Sequence, residues 1–303
     1  MLLIILKNMN KTKESKTVKL RDGRRLGFSE LGDPNGFPIF YFHGFPSSRL
    51  EALAGNDLAL NKNVRLISVD RPGIGLSDIQ PNRVLLDWPD DVQELADSLD
   101  IDRFSALGIS GGGPFLMACA YKIPDRLFVC GSVCGLGPIH TPWNIDGMAI
   151  INRLGLTLSK NAPWAASFLV GSMSPLMQLF PETMLSMMSG DAPECDKRAI
   201  KETEFATIMV KAAQEGFQLG TVGLSQDLVI YGSHWGFDIS EIKVPVKVWH
   251  GEMDTVVPVI FGKLFESFIP NCTAVFFANE GHISIVPNHL HTFIDALKVT
   301  DAT

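Results

Sequence analysis

Short apolar runs alternate along this chain with segments whose apolar residues recur every three or four positions. Residues 38–42, Val64–Val69, Phe104–Ile109 and Leu127–Val133 are strand-length runs of Ile, Leu, Val and Phe. Nearly continuous runs of this kind mark strands buried on both faces. Residues 87–99 carry Leu and Val at helical spacing behind an acidic N-cap candidate. Residues 112–121 read as a buried helix opened by glycines and by Pro114, which a first turn tolerates. The stretches 18–20 and 26–31 flank Asp22-Gly23, a tight-turn pair, and predict a hairpin. Strand and helix signals in alternation predict an α/β fold, a doubly wound and mostly parallel sheet with helices on both faces.

The pattern changes after Gly135. From 138 to about 235 no strand run stands out, and seven of the eleven methionines fall there. Pro142, Pro163, Pro175, Pro181 and Pro193 predict that this stretch is cut into short helices. Strand patterns return at 244–249 and 274–278, with a helix between them and another over 284–297. The expected organisation is therefore a core of residues 16–137 plus 236–303, interrupted by a helical insertion at 138–235. Residues 1–15 are read as a mobile tail. Its apolar start, Met1 to Leu6, is shorter than a secretory apolar region and lacks the basic and small-residue flanks of one.

Composition narrows the possible partners. Hydrophobic residues make up 46% and charged residues 19%, values of a globular and rather apolar protein. A formal charge of −7 argues against a nucleic-acid partner, because phosphate contacts need a basic surface. The apolar runs fall short of the roughly 18 residues that span a bilayer, so no stable membrane insertion is expected. Five cysteines form no metal-ligand pairs and no even disulfide framework, which fits a reducing cytoplasm.

The candidate chemistry begins at Gly108-Ile109-Ser110-Gly111-Gly112, a G-x-S-x-G pattern at the junction of a predicted strand and helix. Such a junction needs a sharp, strained turn that leaves the serine hydroxyl exposed, and its glycines let strand and helix approach. A serine hydroxyl is a weak nucleophile and needs an adjacent base. His282 follows the last strand in Glu280-Gly281-His282, and Asp254 follows the penultimate strand in Gly251-Glu252-Met253-Asp254. Glu252 competes with Asp254 for the role of orienting acid. His43, His140, His234, His250, His289 and His291 do not occupy an equivalent strand-end position.

With His43-Gly44-Phe45-Pro46 and the run from Asp70 to Ser77, these segments resemble the α/β-hydrolase superfamily over nearly the whole span from 16 to 297. The resemblance implies an eight-stranded type of sheet, a helical cap at 138–235, and a Ser110–His282–Asp254 triad in the order this fold uses. It also implies an oxyanion hole from the backbone N–H groups of Phe45 and Gly111. His43 and the charged pair Asp70 and Arg71 are read as braces for their loops.

The expected activity is hydrolysis of a small apolar ester through an acyl-enzyme, with a small-molecule substrate and with neither metal nor organic cofactor. Trp143, Met173, Met177, Met184, Met187 and Met188 are candidate pocket residues. Trp164, Phe168 and Phe180 are read equally as packing within the insertion and as lining over the serine. Rival readings are a carbon–carbon bond hydrolase, a thioesterase, a lactonase, an aminopeptidase using Glu182, Asp191, Glu194 and Asp196 to hold an amine, or a slow-turnover ligand receptor.

Overall fold

A computed structural model describes residues 15–139, 148–181, 192–201 and 203–299. Its frame is an eight-stranded sheet made of β1 (Lys16–Lys19), β2 (Arg25–Gly32), β3 (Phe37–Phe42), β4 (Val64–Val69), β5 (Phe104–Ile109), β6 (Leu127–Val133), β7 (Val246–Gly251) and β8 (Cys272–Phe277). The strand order is β1-β2-β4-β3-β5-β6-β7-β8. β1 and β2 form the hairpin expected around Asp22-Gly23, and β2 runs antiparallel to β4. All pairings from β4 across to β8 are parallel. Every residue of the central β5 is buried, whereas edge strand β8 alternates, as a strand half open to water should.

Helices cover both faces. α1 (Asn56–Asn61) and α10 (Ile285–Leu297) lie on one side, where Ala59, Ile285, Leu290, Phe293 and Leu297 join Leu66, Leu107 and Trp249. α2 (Trp88–Ser98), α3 (Gly113–Lys122) and α9 (Ile260–Phe268) cover the other through Trp88, Phe115 and Phe261. Chain direction across the sheet reverses between β3 and β5. The crevice beyond the carboxyl ends of two such strands is where open α/β sheets bind ligands.

Between β6 and β7 the described residues form five helices and no strand: α4 (Ile150–Asn161), α5 (Pro163–Leu179), α6 (Glu194–Lys201), α7 (Thr203–Gly216) and α8 (Val222–Gly232). Pro175 does not end a helix, contrary to the expected punctuation. It sits inside the 17-residue α5, four residues after Gly171. The space around Gly171 is open, and Pro175 is exposed, so the unbonded carbonyl at 171 can tilt into water. No helix among the described residues is long and apolar enough to cross a membrane. All five cysteines are free thiols. The expected tail falls outside the described residues except for Ser15, whose hydroxyl accepts a 2.8 Å hydrogen bond from Arg49 Nη2.

Candidate active site

Ser110 stands at the carboxyl end of β5, in the crevice beside the end of β3. Its φ of +54° is left-handed, a conformation that costs a non-glycine residue roughly 1–3 kcal/mol and persists only where the surroundings enforce it. Close packing enforces it here. A Cβ on Gly112 would lie 2.1 Å from the Phe42 carbonyl oxygen, and one on Gly108 would lie 2.8 Å from the Gly112 oxygen. Only glycine lets β3, β5 and the start of α3 meet at that distance, and the turn throws the Ser110 hydroxyl outward. The N-terminus of α3 directs its positive end towards the same spot.

The loops after β7 and β8 bring Asp254 and His282 to this hydroxyl. His282 Nε2 lies 2.8 Å from Ser110 Oγ, and its Nδ1 lies 2.7 Å from Asp254 Oδ2. Asp254 Oδ1 accepts from the backbone N–H groups of Val256 and Val257, both at 2.8 Å, which fixes the carboxylate plane. Glu252, the competing acid, is exposed. Burial alone would raise the Asp254 pKa, but His282 and His250 hold it far below the ordinary carboxylate value. Burial likewise opposes protonation of His282. Asp254 outweighs it, helped by Asp196 and Glu51, and the imidazole pKa stands above its usual 6.5.

The turn after β3 completes the wall. Phe45 and Gly111 stand side by side, since a Cβ on Gly111 would lie 3.0 Å from Phe45 Cβ. Glu51, buried beneath this turn, accepts from Gly44 N–H at 3.1 and 3.2 Å and from the Tyr41 hydroxyl at 2.8 Å. His43 Nδ1 bonds the Gly44 carbonyl at 2.9 Å, and burial beside Arg71 keeps its ring neutral.

The expected Asp70–Arg71 pair does not form. Asp70 takes Arg49 at 2.7 Å, while Arg71 turns the other way, towards Asp227 on α8 at 2.7 Å. Arg71 also donates to the carbonyls of His43, at 2.6 Å, and Gly44, at 2.9 Å.

A cavity of about 140 Å³ opens from Ser110 and His282. The sheet side contributes Tyr41, Leu107, Ile109, Leu66, Glu51 and Gly55, and α10 contributes Val286, Leu290 and Ile294. From the intervening helices come Met177, Phe205, Met209, Val210 and Ala213.

Of the pocket residues expected from sequence, Met177 lines this space. Met173, one helical turn earlier, packs half-buried against the apolar core that includes Met177 but does not line the cavity. Trp143, Met184, Met187 and Met188 lie outside the described residues. Trp164, Phe168 and Phe180 neither pack inside nor line the cavity. All three are exposed, Phe180 just past the end of α5; apolar residues spread over most of the circumference of α5, so its sequence does not mark which face is inward. The acidic set suggested for an amine is also dispersed. Asp196 is committed to backbone groups, Glu194 is exposed against Lys197, and Glu182 and Asp191 lie outside the described residues.

The sequence does not single out Glu51, which folds back on its own segment to Gly44 and Tyr41, nor Asp227 and the cavity residues of α7, which reach the site from distant segments. The one group of three metal-ligating side chains among the described residues is Cys134, Asp254 and His282, with donor atoms within 4.8 Å of one another. Burial, reinforced by Asp254, pushes the Cys134 thiol well up, so it resists the ionisation that a metal ligand needs.

A model of the alpha/beta hydrolase fold matches residues 38–288. AB hydrolase superfamily protein YisY of Bacillus subtilis (strain 168) is 24% identical over 274 residues, covering 88% of this chain and 91% of that protein. Among solved structures, a bromoperoxidase from Bacillus anthracis matches with a TM-score of 0.69 at 16% identity, over 93% of this chain and 98% of that one. The esterase RhEst1 from Rhodococcus sp. ECU1013 matches with a TM-score of 0.64 at 21% identity, over 95% and 100%. At these identities the solved structures speak for the fold alone. Matched over most of its length, and carrying the sheet order and strand-end loops just described, this chain belongs to the α/β-hydrolase fold family.

Proposed function

We propose that the protein is a serine hydrolase that cleaves small apolar carboxylic esters through an acyl-enzyme. The observation that carries this reading is the unbroken hydrogen-bonded path Asp254–His282–Ser110 at the head of a mainly apolar cavity. With its Nδ1 proton directed at the ionised Asp254, His282 presents an unprotonated Nε2 to the serine. Ser110 Oγ attacks the ester carbonyl while Nε2 takes its proton. The backbone N–H groups of Phe45 and Gly111 receive the negative oxygen, the type of interaction whose loss costs about 3–4 kcal/mol. Collapse expels the alcohol, which takes the proton back from His282. A water then attacks the acyl-enzyme, again giving its proton to Nε2, and Ser110 is regenerated as the acid leaves.

In this reading the helices between β6 and β7 act as a cap, with Met177, Phe205 and Met209 forming the roof of the substrate cavity. A cavity of about 140 Å³ is close to the engineered cavity of about 150 Å³ that accommodates benzene, so the bound group should hold about six carbons. Initial rates on p-nitrophenyl esters graded from acetate to laurate test this. The expected kcat/KM peaks at chains of about four to six carbons and falls steeply beyond. A maximum at laurate, or no turnover of any ester, contradicts the proposal.

A further inference from the structure

We propose that Asp196, carried by α6 of the cap, is a positioning residue for His282, through which the cap sets the geometry of the base. The inference rests on the hydrolase reading above. Asp196 is fully buried, yet its partners are backbone amides of another segment 86 to 88 residues away. Its Oδ2 accepts from His282 N–H at 3.0 Å, and its Oδ1 accepts from Ile283 N–H at 3.0 Å and Ser284 N–H at 2.8 Å. These amides belong to the turn that leads into α10, whose N-cap is Ser284 and whose first N–H groups helix geometry leaves without partners of their own. The loop is shaped to the carboxylate, since a Cβ on Gly281 would lie 2.4 Å from both Asp196 oxygens. The Ser284 hydroxyl closes the turn by accepting from Gly281 N–H at 3.0 Å.

The backbone that presents the imidazole is thus held by a side chain from the cap. A cap that shifts must carry this loop with it or break three N–H hydrogen bonds, one of them buried and two half-buried. Asp196 also adds charge. The imidazole is faced by Asp254 from the loop after β7, by Glu51 from the segment after β3, and by Asp196 from α6, and all three favour its protonated form.

The test uses Asp196→Asn in the full chain, which keeps the volume and one carbonyl oxygen but removes the charge and turns an amide towards His282 N–H. The expected result is a kcat on a short p-nitrophenyl ester lowered about 10-fold or more, with KM little changed, because a displaced base impairs the reaction more than binding. Loss of the negative charge disfavours the imidazolium, so the acid limb of kcat/KM should move down by about half a pH unit.

Titration of the His282 imidazole by NMR should show the same downward shift. That readout needs no turnover, so it separates failure of this coupling from failure of the hydrolase reading. Wild-type kcat together with an unmoved titration would overturn the proposal, as would a lowered melting temperature accompanied by neither change. Should Asp196→Asn not fold, Asp196→Glu decides the matter. It moves the same charge by one methylene and should keep the acid limb while lowering kcat about 10-fold; wild-type kcat there would overturn the proposal.

Discussion

The hydrogen bonds around His282 determine how activity should respond to acid. In the proposed mechanism its imidazole must be unprotonated at Nε2 to accept the serine proton, and the surrounding carboxylates raise its pKa above 6.5. Activity is therefore expected at high pH and lost as pH falls through a single ionisation with its midpoint above 6.5, read from a kcat/KM profile. A midpoint below 6 would show that the carboxylates do not act on the base. Asp254→Asn should lower kcat on the order of 10⁴-fold by favouring the wrong imidazole tautomer, whereas Glu252→Gln should stay within about 2-fold, because Glu252 points into water. Steady-state rates of the two variants compare the candidates directly. Ser110, His282 and Asp254 were legible because each sits just past a recognisable strand, and parallel strands deliver their carboxyl ends to one edge. Glu51 and Asp196 were not: no motif marks Glu51, although its partners Gly44 and Tyr41 lie only seven and ten residues away, and nothing local to Asp196 marks the distant backbone it meets.

At the level of elements, strand runs were read to within about two residues because burial on both faces leaves an uninterrupted apolar signature. The helices between β6 and β7 were harder to read. Proline predicts a stop, but the open space at Gly171 lets α5 run past Pro175. Apolar residues over most of the circumference of α5 also hide which methionine faces inward. The structure separates them: Met177 is buried and lines the cavity, whereas Met173 is half-buried against the larger apolar core and does not line it. Met177→Ala should raise the ratio of kcat/KM for long over short esters by about 10-fold, since a methylene in a fitted pocket is worth roughly 1–3 kcal/mol. Met173→Ala should leave that ratio alone and instead lower stability by on the order of 1–2 kcal/mol, less than for a fully buried methionine. Ester panels and urea denaturation distinguish the two outcomes.

Across the whole molecule, the α/β class and the place of the helical stretch could be read from the alternation of patterns, but the strand order could not, because it depends on pairings between distant segments. The same is true of the charges that join the sheet domain to the helices between β6 and β7. Asp227 on α8 binds both Arg71 and Arg83, and Arg49 binds both Asp70 and Glu215 of α7, mostly away from water. Arg71 in turn carries the carbonyls of His43 and Gly44, so α8 braces the turn that bears Phe45. Asp227→Ala would leave two buried guanidinium groups without their carboxylate and should destabilise the protein by about 3–5 kcal/mol in urea denaturation. A loss under 1 kcal/mol would mean that the sheet and these helices are held together by apolar packing alone.

All of these expectations depend on one oxygen. Incubating the intact protein with a fluorophosphonate and locating the adduct by peptide mass spectrometry tests that dependence most directly. The expected result is a single stoichiometric adduct on Ser110, absent from a folded Ser110→Ala variant that also loses ester turnover. An adduct elsewhere, or unchanged turnover by Ser110→Ala, would contradict the account.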